Sequence, residues 1–112
     1  MELKTIARTK YRDNYWLVWL TGFNDGFKTL PLKFQKERED ELKNDIQVVL
    51  EDEKGTRLGD AVCHYGSHGS SDGLWEIMID VLPKSNVDSV AGYLEFKDVL
   101  KFFDKKINKL NK

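Results

Sequence analysis

A chain of 112 residues with 40% hydrophobic residues and thirteen aromatics can fill one modest core, so a single domain over residues 1–112 is expected. Charged residues make up 33% yet the formal net charge is -1, which excludes both the disorder signature and the global basicity of a nucleic-acid coat. Charge is segregated instead: +3 over residues 1–35 (six cations, three anions), -4 over 36–60 (five, nine), -4 over 61–96 (one, five) and +4 over 97–112 (six, two).

The first eight residues lack the apolar core of a signal peptide, and no apolar run approaches the roughly 18 residues needed to span a bilayer. With Cys63 as the lone cysteine, no intrachain disulfide can form, and a reducing, cytoplasmic setting is expected. In residues 14–20, Tyr15, Leu17 and Trp19 alternate with Trp16, Val18 and Leu20, which predicts a strand apolar on both faces. Asn24-Asp25-Gly26 is turn chemistry, so Phe27 to Leu32 reads as the returning strand of a hairpin, at an edge because Pro31 cannot donate a ladder bond.

Residues 35–45 have helix formers and almost no apolar stripe, so they predict a short solvated helix or a charged connection. Ile46 to Leu50 and Asp60 to Tyr65 read as a second hairpin with an acidic connection. Gly66 to Gly73 reads as a flexible loop, and Leu74 to Val81 as a strand with Trp75, Ile77, Ile79 and Val81 on the core face. After a turn at Pro83-Lys84-Ser85-Asn86 come a short strand, Val90 to Leu94, and a helix from about Glu95 to Leu110. Its Phe96, Val99, Leu100, Phe103, Ile107 and Leu110 form one apolar stripe. The fold class is therefore α+β: a mainly antiparallel sheet of five or six strands covered by a C-terminal amphipathic helix.

Chemistry-bearing residues are few. Cys63, His64 and His68, with Asp72 or Glu76, lack any zinc-site spacing, and neighbours on a strand point to opposite faces, so Cys63 and His64 cannot readily form a nucleophile and base. The Gly66–Gly73 loop lacks the Gly-Lys-Ser/Thr ending of a phosphate cradle and precedes a strand. Glu76 stands inside an apolar strand and becomes a site candidate only if its face opens into a cleft. No catalytic residue, metal or cofactor is expected.

The stretch Val62 to Ile77, with its Tyr65-Gly66 loop and Gly73-Leu74-Trp75-Glu76 strand, and the step Val90-Ala91-Gly92-Tyr93-Leu94 into the helix, resemble small proteins of tailed bacteriophages and prophages. The resemblance covers about a third of the chain. Glu95 departs from it, standing where a Thr or Asp would cap the helix. What the resemblance implies is a phage or prophage product acting in a bacterial host, with no activity carried over.

The expected role is non-catalytic protein binding, to a host factor or a defence component such as a CRISPR effector, or to a second copy. Tyr15, Trp16 and Trp19 are the candidate contact residues, because a strand apolar on both faces needs a second cover. That cover is a homodimer partner, a partner chain, or the chain's own N-terminal arm or 35–45 connection folding back. The alternative is nucleic-acid binding by Arg8, Lys10 and Arg12 among aromatics, with Lys101 and Lys105 of the helix. No membrane association is expected.

Overall fold

The computed structural model describes residues 3–42, 44–67, 69–81 and 90–111. His68 and the turn expected at 83–86 lie outside them. The described chain forms a six-stranded antiparallel sheet in the order β1-β2-β3-β4-β5-β6: β1 (Lys4–Arg12), β2 (Tyr15–Thr21), β3 (Ile46–Asp52), β4 (Arg57–Cys63), β5 (Trp75–Met78) and β6 (Val90–Leu94). Two short helices, α1 (Leu32–Glu37) and α2 (Glu39–Leu42), lie between β2 and β3, and α3 (Phe96–Leu110) closes the chain. This is the α+β architecture expected, with the second hairpin, the strand at 90–94 and the C-terminal helix in place.

The first hairpin is not where the turn residues suggested. β2 pairs with the N-terminal segment Lys4–Arg12, through a two-residue connection in which Asn14 takes φ 65°. Asparagine tolerates that left-handed conformation better than most residues, so Asp13-Asn14 supplies the tight turn. Residues 27–32, expected as the returning strand, instead contribute to a 3-10 turn (Asp25–Thr29) and the start of α1.

The cause lies in the loop's own hydrogen bonds. Gly22 leaves β2 at φ 118°, and the Asp45 carboxylate accepts the backbone N–H groups of Gly22 (3.2 Å), Phe23 (2.7 Å) and Asn24 (3.2 Å). Asn24, buried, donates through Nδ2 to the carbonyls of Asn44 (2.7 Å) and Leu42 (3.3 Å) and accepts from the Tyr65 N–H (3.0 Å). These bonds satisfy a chain that has already turned out of the sheet. Pro31 then stands immediately before the first residue of α1, where its fixed φ and missing N–H suit a helix start better than a strand.

The main core lies between one face of the sheet and α3. Leu17, Val48, Leu50, Ala61, Ile77 and Ile79 from the strands meet Val99, Phe103 and Ile107 from the helix. Gly59 is required there, because a Cβ would sit 2.7 Å from Ile79 Cδ1. Glu95 makes no capping bond, as its identity implied, and pairs with Lys97 instead. Polar ties hold α3 against the rest of the fold, among them Asp104 to Tyr11 of β1 and Lys106 Nζ to Asp80 Oδ2, just beyond β5, at 2.8 Å, which holds the Asp80 carboxyl below its ordinary value.

The other face of β2 is covered too. Val18, Leu20 and Val49 form a second, smaller buried cluster against which Leu3 packs. Val18 and Leu20 are 7% and 8% exposed, so this part of the face is buried within a single chain, while Trp16 on the same face is half-buried. Of the alternatives, the fold-back of the N-terminal arm describes Leu3.

Phe103 is fully buried and Lys105 exposed on the same helix. Phe103→Ala is expected to cost about 3–5 kcal/mol of unfolding free energy and Lys105→Ala to stay within about 0.5, measured by denaturant titration. Equal small effects would mean that α3 is not part of the cooperative fold.

Candidate functional site

The residues expected to do chemistry serve the loop end of the sheet. Cys63 is buried, its Sγ 4.0 Å from the Ser70 carbonyl, while His64 projects away from it and stacks on Phe23 with ring centroids 4.4 Å apart. His64 Nδ1 is 2.8 Å from the Tyr65 carbonyl oxygen, so that nitrogen carries the proton and donates. Ser67 Oγ accepts the His64 N–H and donates to the His64 carbonyl. Gly69 could bear no side chain, since a Cβ would lie 2.8 Å from that of Leu74. Glu76 is half-buried opposite Val62 and has an interaction partner. Among the described residues, no three His, Cys, Asp or Glu side chains group closely enough to hold a metal.

Tyr15, Trp16 and Trp19 do not share a surface. Trp19 and Tyr15 lie on the α3 side: Trp19 packs against Trp75 and Phe96 with centroids 6.4 and 5.4 Å apart, and the Tyr15 hydroxyl donates to Asn111 Oδ1 at 3.4 Å. Both pack against the main core. Trp16 alone faces the other way, half-buried, between Lys10 of β1 and Glu51 of β3 in the register of the sheet.

The cationic candidates divide in the same manner. Arg8 and Lys10 stand opposite Val18 and Trp16, hence on the face away from α3, with the Arg8 guanidinium 4.6 Å from the centre of a Trp16 ring. Arg12 is committed elsewhere: its Nε and Nη2 donate to the two oxygens of Asp104 at 3.1 and 3.0 Å, a bidentate pair. Lys101 reaches Asp98 at 3.9 Å and Lys105 is exposed, both on the helix that covers the opposite face. Arg8, Lys10 and Trp16 are thus one group, and Lys101 and Lys105 another.

The group at Arg8 sits on the margin of the sheet. β1 is nine residues long, bears four cations and no anion, and is exposed along its length except at half-buried Tyr11. Among the described residues no carboxylate pairs with Lys4, Arg8 or Lys10. Ile6, 58% exposed, lies where the register with β2 shifts between Thr5 and Ala7. Sequence reasoning noticed the cations but not the strand that aligns them; the available signal was Asp13-Asn14 as a two-residue turn.

A second surface feature lies at α1 and α2, where Leu32, Gln35, Lys36, Glu39 and Leu42 line an open groove of about 580 Å³. Its helices have six and four residues.

Searches of protein-family models, curated proteins and solved structures find no match to this chain.

Tyr11 anchors β1 to α3 by donating to Asp104 Oδ1 at 2.8 Å. Burial, reinforced by that bond and the Asp104 charge, pushes the Tyr11 hydroxyl up to about 12 from 10.0. The unfolded chain therefore ionises first, and the contribution of Tyr11 to stability, complete below pH 10, declines as pH rises through 12. Urea titrations across this window should show the stability gap between wild type and Tyr11→Phe narrowing; a constant gap would mean that the hydroxyl proton is not held by the fold. A chelator should leave the melting temperature unchanged, since a structural metal contributes folding free energy directly.

Proposed function

We propose that this chain is a non-catalytic binding protein acting on a protein partner in a bacterial host, in keeping with its resemblance to phage and prophage proteins, and that its contact surface is the cationic margin formed by β1 and Trp16. One observation carries this reading. Arg8 and Lys10 are exposed without a carboxylate partner among the described residues, on an unpaired sheet edge and beside the one aromatic of β2 that faces away from α3. Aromatic residues next to arginine are the side chains that most often anchor protein interfaces. A host factor or a defence component such as a CRISPR effector, met in the host cytoplasm, is the kind of partner such a product would engage. The described residues include no helix long and apolar enough to cross a membrane.

Nucleic acid is the second reading, favoured by the same Arg8, Lys10 and Trp16. Two features weigh against it. The Arg8 guanidinium lies over the Trp16 ring on which a base would stack, and the cations of α3 lie on the other side of the sheet.

The test is a pull-down from host lysate with the full chain, with and without nuclease, beside the double variant Arg8→Glu, Lys10→Glu. Capture should survive nuclease and fall by about tenfold or more in the variant, which reverses charge at the contact without touching a core residue. Capture lost with nuclease would replace the protein partner with nucleic acid.

A further inference from the structure

We infer that β1 is a docking edge for an extended acidic segment of a partner protein, which pairs with it as an added strand; this rests on the protein-binding reading above and specifies its mode. Among the described residues, β1 stands at the end of the strand order and pairs only with β2, so its outer row of backbone N–H and C=O groups has no strand partner there. It is the longest strand of the sheet, nine residues against seven or fewer. Between its two register shifts the ladder runs undisturbed from Ala7 to Lys10, which gives an incoming strand a regular template.

The charge pattern chooses the occupant. A second copy of β1 is disfavoured: antiparallel pairing about a twofold at Arg8 sets Arg8 against itself, at Ala7 sets Lys4 against Lys10, and at Thr9 sets Arg8 against Lys10. Like charges directly opposite on a sheet repel. An acidic strand meets the reverse situation. Arg8 and Lys10 project from the same face two residues apart, so carboxylates at alternate positions of the added strand would lie opposite both. On the other face Ala7 and Thr9 offer small side chains, which leave room for β-branched residues between those carboxylates. Backbone pairing would supply affinity and the charges register, the usual division in strand addition. A nucleic acid could meet the cations but has no amide ladder to continue.

The test uses the full chain and four probes: a blocked peptide of alternating Glu and Thr, the same peptide N-methylated at every amide, its Lys-for-Glu counterpart, and an oligothymidylate. The readouts are affinity and amide hydrogen exchange of β1 by NMR. The Glu-Thr peptide should slow exchange of β1 amides by about tenfold or more, a level expected when exposed amides enter a ladder. N-methylation, the Lys peptide, and the Arg8→Glu, Lys10→Glu variant should each weaken binding by about tenfold or more, with the variant's melting temperature unchanged. Equal binding of the methylated peptide would overturn strand addition while leaving a charge-based protein contact standing. Peptide binding without protection of β1, or no binding, would also overturn it, and stronger β1 protection by the oligonucleotide would do so in favour of nucleic acid. The lysate pull-down decides the parent reading independently of all of these.

Discussion

Val48, Val49 and Leu50 are consecutive in β3, and all three are fully buried. Successive side chains of a strand point to opposite faces, so this one run demands cover on both sides of the sheet. β2 repeats the demand with Leu17 below Val18, and the two strands pair residue for residue from Tyr15–Asp52 to Leu20–Gln47. The chain meets the larger demand with the apolar stripe of α3 and the smaller with contacts such as Leu3 on Val18, Leu20 and Val49. Placing the helix over β2 to β5 leaves β1 at the margin, held by its ladder to β2 and by Tyr11 and Arg12 at one end.

Charge follows from the same layout. The two basic ends of the chain meet where Asp104 of α3 receives Arg12 and Tyr11, so part of the N-terminal cation excess is neutralised in holding the helix. The acidic middle falls on β3, β4 and β5, with Glu51, Asp60 and Glu76 on the face away from α3, the face that Arg8 and Lys10 share across the sheet. Asp60 also receives Gln47 Nε2 at 2.8 Å, while Gln47 Oε1 is buried without a hydrogen-bond partner among the described residues. That face is therefore polarised, cationic at the β1 margin and acidic toward β5.

Elements with a strong period were legible and those held by pairing alone were not. α3 was readable because Val99, Phe103 and Ile107 repeat at helical spacing; of the expected stripe, Leu110 is 47% exposed. The alternation at 15–20 identified β2, and Trp75, Ile77 and Ile79 the core face of β5 and the residues after it. β1 carries no such pattern, because an edge strand exposed on both faces needs no alternating apolar residues; its order comes from β2. The segment 22–31 misled for the converse reason. Asn24-Asp25-Gly26 has hairpin composition, but Asp45, 21 to 23 residues from the amides it binds, captures the backbone that would have entered the turn. The split of Tyr15, Trp16 and Trp19 between faces was already implicit in the alternation, whereas the placement of Arg8 and Lys10 beside Trp16 required the register of β1.

That register separates stability from recognition on a single strand. Arg12 and Tyr11 are bound to Asp104, so their polar groups are spent on anchoring α3, and the guanidinium is held firmly protonated by the carboxylate beside it. One to four residues away, Arg8 and Lys10 stand on the face away from α3, with the Arg8 guanidinium 4.6 Å from the centre of a Trp16 ring and no carboxylate pairing with either among the described residues. Exposed charges of this kind contribute little to folding, within a few tenths of a kcal/mol, because water screens and solvates them. They do, however, blunt an edge against copies of itself, which is the usual reason for lysine and arginine on a marginal strand. The same repulsion that keeps two β1 strands apart is attraction toward an acidic chain. An edge protected in this way is selective because it is protected: discrimination against the wrong strand and affinity for the right one come from one pair of side chains.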